Sequence, residues 1–159
     1  MSAILKVVTS EEGRRAILEA TFRMVKDDPL YEWPDTGATM DLWIERNACF
    51  ELLGIYLDDE AIGCFLLKPL GLGNYEAHII VGEKYHCRWA TQSIFKEFFS
   101  YVFSKCRRLT VYTFRSNSRS LALIDKLGFI YEGTLRSFSM SDDLIIHGLL
   151  KDEVKHDYL

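Results

Sequence analysis

Residues 76–103 read EAHIIVGEKYHCRWATQSIFKEFFSYVF, joining a strand, a short polar turn and a long helix without interruption. Tyr75–Val81 is apolar and β-branched enough for a strand. The strongest helix of the chain is predicted over Trp89 to Cys106. Ile94, Phe95, Phe98, Phe99, Val102, Phe103 and Cys106 fall on one half of its wheel, and Ser93, Lys96, Glu97, Ser100 and Ser104 on the other. That division buries one side against a sheet. The turn between them, Gly82 to Arg88, feeds a helix N-terminus, where the first amides lack intrahelical acceptors and carry the positive end of the dipole. Such a turn suits a phosphate or pyrophosphate, and Lys84 and Arg88 add charge to it.

On the N-terminal side, Ala3 to Val8 reads as a first strand. Thr9-Ser10-Glu11-Glu12 is predicted as a capping box, with Thr9 accepting from the amide three residues on and Glu12 reaching back. Ile17, Leu18, Thr21, Phe22 and Val25 give the following helix one apolar face. It stops near Asp27-Asp28-Pro29, because the residue before proline resists helix. Residues 29–38, PLYEWPDTGA, are predicted as a structured loop leading into a short helix at Met40–Arg46. Phe50–Leu57 and Ala61–Leu67 are expected as strands joined by a hairpin at Asp58-Asp59-Glu60, with a further turn at Gly71 and Gly73.

Beyond residue 106 the spacing predicts a strand at Leu109–Phe114 and a helix over Asn117–Leu127, with Asn117 as N-cap and Gly128 as the C′ residue. Strands at Phe129–Ser137 and Leu144–Leu150 close the chain. This order of elements implies a mixed α/β sheet.

The 159 residues suit one domain, since domains commonly run about 100–200 residues. Nineteen Lys and Arg against 23 Asp and Glu give a net charge of −4, unlike the basic balance of proteins that neutralise nucleic-acid phosphates. No apolar stretch approaches the roughly 20 residues of a membrane span. The opening MSAILKVVTSEEGRR lacks the basic region and cleavage pattern of a signal peptide, so a cytoplasmic location is expected. Cys49, Cys64, Cys87 and Cys106 form no C-x-x-C pair and have no histidine at ligand spacing. The expectation is no metal and reduced, mostly buried thiols.

Two motifs then carry a resemblance. Glu76-Ala-His-Ile-Ile-Val-Gly-Glu-Lys-Tyr-His-Cys-Arg-Trp-Ala-Thr91 resembles the acetyl-coenzyme A (acetyl-CoA) motif of the GNAT N-acetyltransferases, and most of all the ribosomal-protein N-terminal acetyltransferase type. Asn117-Ser-Arg-Ser120-Leu-Ala-Leu-Ile-Asp-Lys126-Leu-Gly128-Phe129-Ile-Tyr-Glu132-Gly133 is similar to that family's N-x-x-S-x-x-x-x-(E/D)-K-x-G-F-x-x-E-G at every fixed position. Gly148-Leu-Leu-Lys-Asp-Glu153 resembles its last strand and acidic stop. The resemblance implies one GNAT domain over residues 1–159, a mixed, mostly antiparallel sheet of about six or seven strands flanked by about four helices. Two departures stand out: the glycine of the family's phosphate loop falls on Arg88, and Ile124 stands where many members carry an acidic tyrosine.

What the resemblance implies about chemistry is acetyl transfer from acetyl-CoA, as cosubstrate, to a primary amine by direct attack in a ternary complex. Ile79, Ile80 and Val81 would offer backbone groups to pantetheine, with the turn and helix start at His86, Cys87, Arg88, Trp89, Ala90 and Thr91 at the pyrophosphate, and Asn117 and Ser120 at the arm and sulfur. Glu76 and His78, two apart on one strand and so on one face, are alternative bases, and Ser120 a candidate donor to the sulfur. Tyr31, Glu32, Trp33 and Asp35 would overhang the acceptor groove, where acids and rings suit a cationic amine; Phe138 and Asp142-Asp143 would form its other wall. The acceptor stays open between a protein N-terminus and a small amine. GNAT proteins are often dimers, so a homodimer is implied as a partner; nucleic acid and membrane are not. Two alternatives also stay open: a catalytically silent GNAT-fold assembly protein, of the kind found in tailed-phage genomes, and a coenzyme A sensor.

Overall fold

The computed structural model describes residues 2–28, 37–86, 88–140 and 142–158. Among them the elements run β1 (Ile4–Val8), α1 (Glu11–Val25), α2 (Met40–Arg46), β2 (Glu51–Leu57), β3 (Glu60–Gly71), β4 (Asn74–Val81), α3 (Gln92–Phe103), β5 (Arg108–Phe114), α4 (Ser118–Leu127), β6 (Ile130–Leu135) and β7 (Leu144–Leu150). The seven strands form one sheet in the order β1-β2-β3-β4-β5-β7-β6. β4 pairs with β5 in parallel, while β1 with β2, β2 with β3, β5 with β7 and β6 with β7 are antiparallel. This is a mixed, mostly antiparallel sheet of seven strands with four α-helices, as the resemblance implies.

The backbone falls into two compact units, residues 1–68 with 79–95 and residues 69–78 with 96–159. In the first, Ile17, Leu18, Val25, Trp43, Leu52, Cys64, Leu66 and Ile80 form a buried cluster, with Phe22 packed against it. Thr21 is buried in α1 because its hydroxyl donates to Ile17 O at 3.0 Å and accepts from the Trp43 indole at 3.2 Å. α1 begins one residue later than predicted. Ser10, not Thr9, is the cap: it is extended (φ −74°, ψ 145°) and its oxygen accepts from Gly13 N at 3.1 Å. Gly13 has no carboxylate to reach back, so no capping box forms. The β2–β3 hairpin turns on Asp58 and Asp59 alone, both left-handed at φ 52° and 64°, and Glu60 already belongs to the strand.

In the second unit β5 is paired with β7 from Arg108↔Leu150 to Phe114↔Leu144, with Leu109 and Leu149 fully buried. α4 is capped as expected, by Asn117 Oδ1 accepting from Ser120 N at 3.1 Å and by left-handed Gly128 at φ 93°. On the chain's long helix, Val102, Phe98, Phe99 and Phe103 are buried, and Lys96, Glu97 and Ser100 exposed, the predicted division. Among the described residues the thiols of Cys64 and Cys106 are buried and that of Cys49 is exposed, in line with mostly buried cysteines.

Candidate functional site

The candidate residues of the first unit lie where β4 ends. Its close approach to β3 depends on Gly63, since a Cβ there would collide with Ile80 O and lie 2.9 Å from Val81 Cα. Gly82 N donates to Ile62 O at 3.1 Å and turns the chain into a 3-10 turn at Glu83–Tyr85. Tyr85 and Trp89 are both buried, and Trp89 packs its ring 6.1 Å from Phe65 and 5.6 Å from Phe95. These two rings pin the turn at either end and leave Arg88 exposed between them.

That pinning explains a correction. α3 starts at Gln92, not Trp89. Thr91 is its cap, the hydroxyl accepting from Ile94 N at 3.3 Å and the carbonyl from Phe95 N at 3.3 Å. A threonine just before an apolar-periodic run is the usual sign of a helix start, but the periodicity extends back to Trp89, whose burial is tertiary. The Arg88 amide donates to Tyr85 O at 2.8 Å, so what Arg88 presents outward is its guanidinium. His86 Nε2 donates to Val81 O at 2.9 Å, tying the turn to the strand end. Lys84 is turned elsewhere: its ammonium lies 3.4 Å from Glu60 Oε1 and 4.6 Å above the Tyr85 ring. The Tyr85 hydroxyl, and after it Lys84, holds the Glu60 carboxyl below the usual range, and the same hydroxyl leads in raising Lys84.

The candidates of the second unit centre on the start of β4. Asn74, Tyr75 and Glu76 pair in parallel with Arg108, Leu109 and Thr110, and Thr110 Oγ1 donates to Asn74 Oδ1 at 3.0 Å. Among the described residues that ladder ends at Glu76↔Thr110, while Val111–Phe114 continue against β7 on the other edge of β5. Glu76 and His78, expected as alternatives, are brought together: the Glu76 carboxylate accepts from His78 Nε2. Glu76 is the more enclosed, its side chain 17% exposed against 34% for His78. On α4, Asn117 spends its side-chain oxygen on the cap, Ser120 is half-buried, and Ile124 is buried.

Several residues near these elements are held by contacts that no spacing announces. Arg108 on β5 forms a bidentate pair with Glu132, Nη1 at 2.8 Å from Oε1 and Nη2 on Oε2. The guanidinium holds the Glu132 carboxyl below its ordinary range, and the carboxylate raises Arg108 in turn. Gly148 makes room for this pair, because a Cβ there would lie 2.5 Å from Glu132 Oε1 and 2.7 Å from Arg108 Nη2. Asp142 and Asp143, expected on a groove wall, hydrogen-bond to the loop between β5 and α4 and to the turn that follows β6. Asp142 Oδ2 accepts from Ser116 N at 2.9 Å, and Asp143 accepts from Arg115 Nε at 3.1 Å and Ser137 N at 2.8 Å. The Ser116 hydroxyl and amide lower the Asp142 carboxyl. Tyr31, Glu32, Trp33, Asp35 and Cys87 lie outside the described residues. Among the described residues no group of three or more His, Cys, Asp or Glu side chains is arranged to hold a metal ion.

Residues 18–129 match the sequence model of the acetyltransferase (GNAT) family, and the chain belongs to that family. Its fold is shared with solved acetyltransferases at low identity. A single-substitution mutant of the spermidine N-acetyltransferase SpeG from Vibrio cholerae superposes with a TM-score of 0.76 at 13% identity, over 99% of this chain and 96% of that one. A ribosomal-protein-alanine N-acetyltransferase from Brucella melitensis gives 0.69 at 19% identity, over 92% and 99%. A SpeG chimera of the Vibrio cholerae and hSSAT sequences gives 0.75 at 14%, over 96% and 97%. No curated protein matches the sequence. The ribosomal-protein type is thus one fold neighbour beside the polyamine type, and none of these three points to a phage source.

Proposed function

We propose that the protein transfers the acetyl group of acetyl-CoA to a primary amine, by direct attack within a ternary complex. One observation carries the reading: a carboxylate and an imidazole in contact, Glu76 and His78, on the strand whose sequence resembles the family's acetyl-CoA motif. Acetyl-CoA supplies an activated thioester carbonyl when bound. The chain's own part is to hold that group and to free an amine lone pair, since an ammonium cannot attack.

Features of the described residues fit such a cosubstrate. Ile79, Ile80 and the Val81 amide are the proposed backbone partners from β4, the Val81 carbonyl being engaged by His86. Arg88 meets the pyrophosphate with its guanidinium in place of a glycine's amide, followed by Trp89, Ala90 and Thr91 at the start of α3. With its oxygen in the cap, Asn117 has its NH₂ to give to the arm's carbonyl, and Ser120 follows one turn on. Either member of the Glu76–His78 pair is within the chemistry of a base for an α-amine, whose pKa is about 8. Cys64 is excluded as a nucleophile: burial pushes its thiol to about 12. The acceptor is proposed as a protein N-terminus or a small amine, with Tyr31, Glu32, Trp33 and Asp35 near it.

A second reading, a GNAT-fold protein without catalysis, is favoured by two residues, Arg88 in the glycine's place and Ile124, which has no hydroxyl for the departing thiolate. Titration calorimetry with acetyl-CoA, followed by mass spectrometry of an amine panel, separates them. Binding with acetylated product supports the transferase. Binding without product leaves the sensor, and no heat at millimolar ligand leaves the assembly protein.

A further inference from the structure

We propose that two copies of the chain pair edge to edge through β6, antiparallel about a two-fold axis between Glu132 and Gly133. β6 ends the sheet, with β7 on one side and no strand on the other among the described residues. Its outer edge therefore offers a row of backbone donors and acceptors to another strand. The side chains along that edge are apolar and open to solvent. Ile130 is 51% exposed, Tyr131 60% and Leu135 43%. Just past the strand Phe138 is exposed too, its ring 6.4 Å from that of Phe114. Native edges are commonly guarded by lysine or proline, and β6 has neither. Its one charge, Glu132, is already balanced by Arg108 of the same chain, so two copies can approach without like-charge repulsion.

A bulge makes this strand complementary to itself. Ile130 stands opposite Gly148 and Leu135 opposite Leu144, with the register shifting between Tyr131 and Gly133. Gly148 and Leu144 are an even number of residues apart on β7, so Ile130 and Leu135 share one face despite their odd separation. Because of that shift, antiparallel copies centred between Glu132 and Gly133 set Ile130 against the partner's Leu135 on one face. On the other face Tyr131 meets the partner's Thr134, a ring beside a β-branched residue. Glu132 lies across from the partner's Gly133. Nothing inside one chain calls for that glycine: its φ is not left-handed, and a Cβ there would meet nothing within 4 Å. A second strand alongside accounts for the missing side chain.

The test is sedimentation equilibrium of the full chain over a concentration series. The wild type should dimerise, and Ile130→Lys or Leu135→Glu alone should each raise the dimer dissociation constant at least about tenfold. Mixed together, these two variants should recover a heterodimer, because the register sets the new lysine against the new glutamate. Gly133→Val should weaken the dimer by a similar factor while circular dichroism shows the chain still folded. A wild type that stays monomeric up to roughly 100 μM would overturn the proposal and leave the edge to a different partner. Dimers that survive all three single changes would place the interface elsewhere and overturn it as well. Two monomeric variants that fail to pair when mixed would overturn the register.

Discussion

Gly148 sits against the ends of two charged side chains, whereas Gly63 sits against backbone. A Cβ at Gly148 would meet the far ends of the Arg108 and Glu132 side chains, which would have to shift to admit it. Gly148→Ala should displace that pair and cost about 0–1 kcal/mol, the range for a partly exposed ion pair, read as a slightly lower urea midpoint. Because Arg108 keeps the folded Glu132 carboxyl below its unfolded value, the pair contributes stability above the ordinary carboxylate range. That contribution is lost as pH falls through the folded value. Arg88→Gly is the complementary test at the turn, where the guanidinium is exposed between two buried rings. It should weaken acetyl-CoA about tenfold by calorimetry, the loss of one charge-assisted contact; tighter binding would mean that Arg88 obstructs the turn. Of this the sequence shows the positions and not the partners. Glu132 and Gly133 stand in the second motif as a fixed pair of letters, and only the fold reveals that Glu132 reaches Arg108, 24 residues earlier.

The elements were the most legible level. α2 and β7 occupy the predicted ranges, α4 has both predicted caps, and the helix from Gln92 buries the predicted half of its wheel. The two misplaced helix starts have different causes. Thr9 and Ser10 can both cap, and the phase is set by which residues of α1 must face the core, Ile17, Leu18 and Thr21. Ser10→Ala should therefore cost about 1 kcal/mol in thermal or urea unfolding, with Thr9→Ala nearly silent; equal effects would contradict the cap. At Trp89 the ring is apolar for reasons of packing, not of helix.

β7 carries a second, pH-dependent contribution. His147 is buried, its Nδ1 has no hydrogen-bond partner among the described residues, and its ring stands 6.0 Å from that of Tyr131. Burial lowers its pKa, against a smaller opposite pull from Asp125 and Glu132. The unfolded chain then binds the proton more readily, so stability is fully present above an unfolded value of about 6.5 and lost as pH falls through the folded one. Urea midpoints between pH 5 and 7 should rise with pH, and His147→Leu should flatten that slope.

For the whole molecule, a −4 balance argues against a polyanionic partner while leaving room for one anionic ligand. Of the positive groups expected near the turn, Lys84 is committed to Glu60 and Arg88 is exposed. Family membership rests on the match over residues 18–129, and the fold neighbours include acetyltransferases named for spermidine and for ribosomal-protein alanine. The acceptor is not legible from the motifs, because they describe the strand and helices that would hold the cosubstrate, which differ little between acceptors. The most direct test of the central claim is thiol release from acetyl-CoA, measured with and without a panel of primary amines. The account predicts release that saturates with at least one amine and rises with pH as that amine loses its proton. Binding of acetyl-CoA with no amine-dependent release across the panel would contradict it.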